Sequence, residues 1–314
     1  MSPTAARSKA TRPNTAAEQR IEVRKTYKLY IGGAFPRSES GRTYEIRAAG
    51  PSGRFLANAA MGSRKDARDA VVAARGAFGK WAGATAYNRG QVLYRVAELM
   101  EGRRAQFVAE VASAEGLTPA RADKVVSQSI DRWVWYAGWS DKLAQVLGGV
   151  NPVAGPYFNI SAPEPTGVVA ALAPQRSSLL GLVSVLAPIV VSGNTAVVLT
   201  SEHRPLPAVT LSEVLATSDV PAGVINLITG RTAEVAPWLA SHQDVNAIDL
   251  TGAADVADLA WADLERAAAE NLKRVLRPAG DGADAVEPDW TRTPDLTRMK
   301  AYLETKTVWH PKGR

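Results

Sequence analysis

Residues 167–202, GVVAALAPQRSSLLGLVSVLAPIVVSGNTAVVLTSE, decide the fold. Gly167 to Leu172 is a short apolar run with β-branched Val168 and Val169, and Pro174 stops it. Leu179 to Val191 is long and apolar enough for a buried helix. Ser192, Gly193 and Asn194 end that helix, because Gly and Asn tolerate a left-handed cap. Thr195 to Leu199 reads as a second buried strand. Together they form one βαβ unit, the seed of a parallel sheet. Sheets of this kind bind ligands at the loop between strand and helix. Here that loop is Pro174, Gln175, Arg176, Ser177 and Ser178.

Downstream, the pattern repeats. Pro207 to Thr217 reads as a helix, Val224 to Ile228 as a strand and Thr232 to Ser241 as a helix. Asn246 to Leu250 reads as a strand, which Thr251-Gly252 turns into a helix over 254–270. This alternation predicts an α/β fold: a doubly wound, Rossmann-like parallel sheet with helices on both faces. Upstream, YKLYI at 27–31 reads as a strand, with further strands near 43–47 and 54–60. Ser63 opens a helix with Asp66 as its capping-box partner. One long helix is expected over Asn88 to Glu115. A second is expected from Thr118-Pro119 to about Leu147, carrying Trp133, Trp135, Tyr136 and Trp139. Residues 150–166 hold four prolines, which suits a projecting β-arm better than a core strand. Pro278 to Asp289 is rich in Gly, Asp and Pro and reads as a linker or surface loop. Met299 to Trp309 reads as a terminal strand, with Tyr302, Glu304, Lys306 and Val308 alternating.

Composition narrows the chemistry. With 46% hydrophobic and 22% charged residues, the 314-residue chain is ordinary for one large or two modest soluble domains. It has no cysteine, which excludes disulfides, thiolate metal sites and a cysteine nucleophile. Its three histidines, His203, His242 and His310, form no metal-spaced pair, so no metal is expected. Much of the net charge of +6 lies in the first 25 residues, so 1–26 is expected to be a disordered basic tail. It lacks the interleaved aromatics of a nucleic-acid arm. The apolar run at 178–191 is too short to span a membrane, and nothing at the N-terminus resembles a signal peptide. A cytoplasmic location is expected, with no nucleic-acid or membrane partner.

The chain resembles the NAD(P)-dependent aldehyde dehydrogenase superfamily from about Tyr27 to Gly280 and again over the last dozen residues. The resemblance rests on YAGWSDKL at 136–143, EPTGVVAALAP at 164–174, SGNTAVVL at 192–199, DVPAGVINLITG at 219–230, ASHQDVNAIDLTGA at 240–253 and ETKTVW at 304–309. Each is a weak signal alone; their shared order and near-ungapped spacing are specific. The resemblance implies an NAD(P)-binding domain over 27–149 and 167–277. It implies an oligomerisation arm at 150–166 and a C-terminal oligomerisation strand at 299–314, the two pairing across subunits. Residues 278–298 are expected to be a linker standing in for the catalytic domain.

It also implies a cofactor, NAD or NADP, held near Leu172, Pro174, Glu202, Gly230, Leu250, Gly252 and Val256. Glu202 keeps the family's acidic ribose partner. Other positions depart from the pattern. The catalytic asparagine falls at Arg176, and Gln175, Ser177 and Ser178 replace the Trp, Phe and Pro around it. The ribose-binding lysine falls at Leu199, the second glycine of the next cofactor loop at Thr232, the serine after Gly252 at Ala253 and the general-base glutamate at Pro278. The nucleophilic cysteine has no counterpart. Aldehyde oxidation on this scaffold needs a thiolate, an oxyanion donor and a base. With all three gone, the expectation is a non-catalytic structural or regulatory subunit with weak or absent dinucleotide binding. It would oligomerise with itself or with a full-length aldehyde dehydrogenase through 150–166 and 302–309. The alternative is an NAD(P)-binding oxidoreductase component that acts on aldehydes with a partner's catalytic domain.

Overall fold

A computed structural model describes residues 25–51, 53–256, 258–280 and 285–313. Most of the first 26 residues, read as a disordered tail, lie outside these.

The quoted stretch folds as read. Strand β5 (Val168–Leu172), helix α6 (Leu180–Val191) and strand β6 (Thr195–Leu199) are buried at every residue. With β7 (Ile225–Ile228), β8 (Ala247–Asp249) and β9 (Arg274–Leu276) they build a parallel sheet in the order β7-β6-β5-β8-β9. Alternation explains the unbroken apolar runs. Val169, Ala171, Ala196 and Val198 face one core; Val168, Ala170, Leu172, Val197 and Leu199 face another.

The first core is closed by α2 (Ala86–Gly102), α3 (Arg104–Glu115), α4 (Pro119–Ala137), α6 and α7 (Leu206–Leu215). The second is closed by α1 (Arg64–Ala82), α8 (Thr232–Ser241) and α9 (Trp261–Ala269). Helix α6 lies between the sheet and α4, which is why it is apolar on all sides. Helix α1 starts in the predicted capping box: the Lys65 and Asp66 amides donate to Ser63 Oγ, and the Ser63 amide donates to Asp66 Oδ2 at 2.8 Å. Strands β1 (Thr43–Arg47) and β2 (Phe55–Ala60) pair antiparallel.

Five expectations need correction. Residues 27–31 form no strand, only single bridges; Tyr30 bonds to Leu227 at the edge of β7. The long helix breaks at Arg103, with φ −111° and ψ 16°, directly after helix-weakening Gly102. Periodicity misses this because the apolar stripe resumes beyond the break. Helix α4 ends at Gly138, and only the short α5 (Leu143–Leu147) follows. The helix expected over 254–270 forms only in its second half, as α9; a 3₁₀ turn, Thr251–Ala253, follows β8 instead. Asp258, at φ +60°, cannot belong to a right-handed helix. Strand β9 was not anticipated, since three residues carry too little pattern.

The arm holds β3 (Gly149–Asn151) and β4 (Tyr157–Pro165). The terminal strand is β10 (Leu303–Pro311), preceded by α10 (Thr297–Ala301), so Tyr302 lies outside the strand. Expected to pair across subunits, the two pieces pair antiparallel within the chain, in the order β10-β4-β3. Tyr302 is buried and donates to Asp249 Oδ2 at 2.8 Å, tying the base of β10 to the end of β8. Residues after 284 pack rather than trail: Trp290 is only 8% exposed, and Arg132 on α4 donates to the carbonyls of Trp290 and Arg292 at 2.8 and 2.9 Å. Among the described residues no helix is long and apolar enough to cross a membrane.

Candidate functional site

The strand order reverses between β5 and β8, so the loops leaving their C-terminal ends diverge and open a crevice. A cleft of roughly 330 Å³ lies at the C-terminal end of the sheet, lined by loops after β5, β6 and β8 and the start of α8.

The loop after β5 is tied at each residue. The buried Gln175 donates from Nε2 to Ala173 O at 2.9 Å and accepts the Glu202 amide at 2.9 Å. The amides of Gln175 and Arg176 both donate to Glu287 Oε1, the second at 3.1 Å. Burial pushes the Glu287 carboxyl above its ordinary range, and those two amides pull it back. The Arg176 guanidinium meets Asp255 Oδ1 at 2.5 Å, joining the loop after β5 to the loop after β8. The Arg176 side chain is 74% exposed, so the pair contributes no more than about 1 kcal/mol. The Gly181 amide donates to Ser177 Oγ at 2.9 Å, and Ser178 donates to Glu115 Oε1 from its amide and hydroxyl, each at 2.7 Å.

The sequence-derived residues scatter. Glu202 and Val256 line the cleft. Glu202 is already engaged: Oε1 accepts from Arg231, and Oε2 accepts the Thr232 amide at 3.1 Å, at the positive end of α8. Leu172, Leu250 and Leu199 belong to the core. Pro174 packs where a Cβ on Gly181 would stand 2.8 Å away. Gly230 has φ +151°, and a Cβ on it would stand 3.1 Å from the Gly62 backbone. Gly252 is required by the sheet itself, because a Cβ there would fall 2.2 Å from Ala173 O. Its glycine character is therefore explained without a phosphate. Ala253 is buried in the 3₁₀ turn, and Pro278 is buried beyond β9.

Sequence reading missed the polar lining. Glu234, Asp255 and Asp258 join Glu202 on the wall, with Arg231 and His203 as the basic groups. Carboxylates outnumber cations here, and a pyrophosphate would meet like charge. The chain after β8 makes only a 3₁₀ turn, and the helix N-terminus that does face the cleft, that of α8, already gives the Thr232 amide to Glu202. The acidic residues were visible as charges, but their convergence was not. Glu287 was invisible, because it stands 112 residues from Gln175. Among the described residues no cluster of His, Asp or Glu is placed to hold a metal ion.

Comparison with known proteins now adds to this geometry. The profile of the aldehyde dehydrogenase family matches residues 35–285. An aldehyde dehydrogenase of Enchytraeus buchholzi is 33% identical over 270 residues, covering 83% of this chain and 52% of that protein. Retinal dehydrogenase 2 of Gallus gallus is 32% identical over 264 residues, covering 83% and 49%. The chain thus spans about half the length of the curated relatives it matches. Among solved structures, the NAD+ complex of aldehyde dehydrogenase from Bacillus cereus superposes with a TM-score of 0.72 at 26% identity, covering 80% of this chain and 50% of that one. HpcC from Thermus thermophilus superposes with a TM-score of 0.74 at 27% identity, covering 80% and 47%. The profile match extends over most of the chain, and the parallel sheet is that of the family's cofactor domain: this chain belongs to the aldehyde dehydrogenase family.

Proposed function

We propose that the chain acts as a non-catalytic structural or regulatory subunit that assembles with itself or with a full-length aldehyde dehydrogenase. The observation that carries this is the loop after β5. Arg176 stands there, held to Asp255, and the Glu287 carboxylate occupies the amides of Gln175 and Arg176. The two amide donors of this loop are spent on an internal anion, and this chain has no cysteine to attack a carbonyl. Dinucleotide affinity is weak or absent in this reading, given the acidic cleft and the engaged Glu202.

Assembly through the arm is supported by its edges. All nine residues of β10 pair with β4 on one side, leaving the other edge unpaired among the described residues. Val150, Ile160 and Val308 stand opposite one another on one face, each about half exposed or more. Light scattering of the full chain and of a chain lacking residues 303–314 tests the reading. A dimer or larger species that reverts to monomer on truncation is expected; two monomers would sink it.

A second reading, an NAD(P)-binding component that relies on a partner's catalytic domain, draws on the NAD+ complex among the structural neighbours. Calorimetry with NAD and NADP separates the two. Saturable binding below millimolar concentration favours the second, and silence at millimolar cofactor removes it.

A further inference from the structure

On the α4–α6 side of the molecule lies a second pocket of about 320 Å³, bounded by α4, α6 and the segment 288–298. Arg132, Tyr136, Ser184, Trp290, Arg292 and Arg298 are among its walls. Arg132 is only 8% exposed, yet it donates solely to neutral oxygens: Ser184 Oγ at 2.9 Å and the carbonyls of Trp290 and Arg292. Among the described residues no carboxylate lies within ion-pair distance of it. A buried guanidinium normally has an anionic partner, because desolvating its charge is costly.

The neighbouring carboxylates are committed elsewhere. Asp249, fully buried, accepts from Arg298, the Tyr302 hydroxyl, and the amide and hydroxyl of Thr251. Four donors use its lone pairs, so it has none for Arg132. Asp289 accepts from the amide and hydroxyl of Thr291, and Asp295 accepts the Thr297 amide. Arg277, also on the wall, meets Glu265 at 2.7 Å. Burial lowers the pKa of the Arg132 guanidinium and the nearby charge of Arg298 lowers it further, while Arg298 lies 5.0 Å from the centre of the Trp290 ring. The wall thus sets two guanidinium groups beside two aromatic rings, Tyr136 and Trp290.

We propose that this pocket binds a small aromatic or short-chain organic carboxylate, its head toward Arg132 and Arg298 and its body against Tyr136 and Trp290. A carboxylate would give Arg132 the anionic partner it lacks, accepting from the guanidinium hydrogens that Ser184 and the two carbonyls leave free. Asp295, on the same wall, opposes such a ligand.

Calorimetry of the full chain with benzoate, benzamide and inorganic phosphate tests the assignment. Benzoate is expected to saturate one site and raise Tm, and neutral benzamide to bind about tenfold or more weakly. R132K is expected to lose about tenfold in benzoate affinity, because one ammonium cannot hold Ser184 and the two carbonyls and also donate to the ligand. D295N, which leaves the Trp290 and Arg292 carbonyl contacts intact, is expected to tighten benzoate and leave benzamide unchanged. Equal binding of benzoate and benzamide, or no benzoate binding, would overturn the proposal. So would tighter binding of phosphate than of benzoate, or a D295N chain with unaltered benzoate affinity. The D295N arm stands even if R132K does not fold.

Discussion

Strands β6 and β10 belong to one chain and obey one hydrogen-bonding geometry, yet they meet opposite environments. Strand β6 is paired on both sides and buried at all five residues, its side chains divided between two helix-covered cores. Strand β10 is paired on one side only, and eight of its nine residues are exposed, including Trp309 at 58%. The first strand is completed by its own chain. The second leaves an apolar row and a backbone edge unpaired among the described residues, the surface on which the proposed assembly rests. The contrast separates what the chain needs in order to fold from the surface that the proposed assembly would use.

The sharpest way to break that separation is at the joint between the two regions. Asp249→Ala leaves Arg298, whose side chain is 16% exposed, without its counter-ion and frees the buried Tyr302, so a loss of about 3–5 kcal/mol is expected in denaturant unfolding. A loss under about 1 kcal/mol would mean that the arm is not anchored through β8. Within the sheet, Leu172→Ala removes a fully buried side chain and is expected to cost about 2–5 kcal/mol in the same assay.

A pH effect of intermediate size is expected from the margin of the larger core. Glu110 accepts from Thr210 at 2.8 Å and from Tyr27 at 3.2 Å through Oε1, while Oε2 is buried without a partner. Burial raises its carboxyl above the ordinary value. The folded state therefore holds this proton more tightly than the unfolded one. Its contribution is complete below the ordinary carboxylate value and is lost as pH rises through the raised one. Glu110→Gln should flatten that decline, read from Tm across the acid-to-neutral range; an unchanged slope would count against the assignment. The smallest stability effect belongs to the arm. Ile160→Ala should shift unfolding by no more than about 0.5 kcal/mol while lowering the apparent mass in light scattering. A large stability loss without a change in mass would make the arm part of the folding core.

Much of the fold was legible because local chemistry and tertiary role agree. Ser63 and Asp66 cap α1 as their spacing predicts, and the runs in β5 and β6 are apolar because both faces of the sheet are covered. The arm was legible from its prolines and its lack of a core pattern. The site was less so. Leu172, Leu250, Gly230 and Gly252 were singled out from the family resemblance, and packing accounts for each. The polar wall is assembled from four separate loops, and no local pattern announces it.

The sequence by itself determined the alternating β and α elements and the absence of cysteine from this chain. Only the tertiary structure decided where charges meet: Arg176 on Asp255, Glu287 on the loop amides, Glu202 on Arg231, and Arg132 with no carboxylate at all among the described residues. The reason is physical. Hydrophobic periodicity is written over a few residues and can be read locally, whereas a charge's partner depends on which distant segments the fold brings within about 4 Å of it.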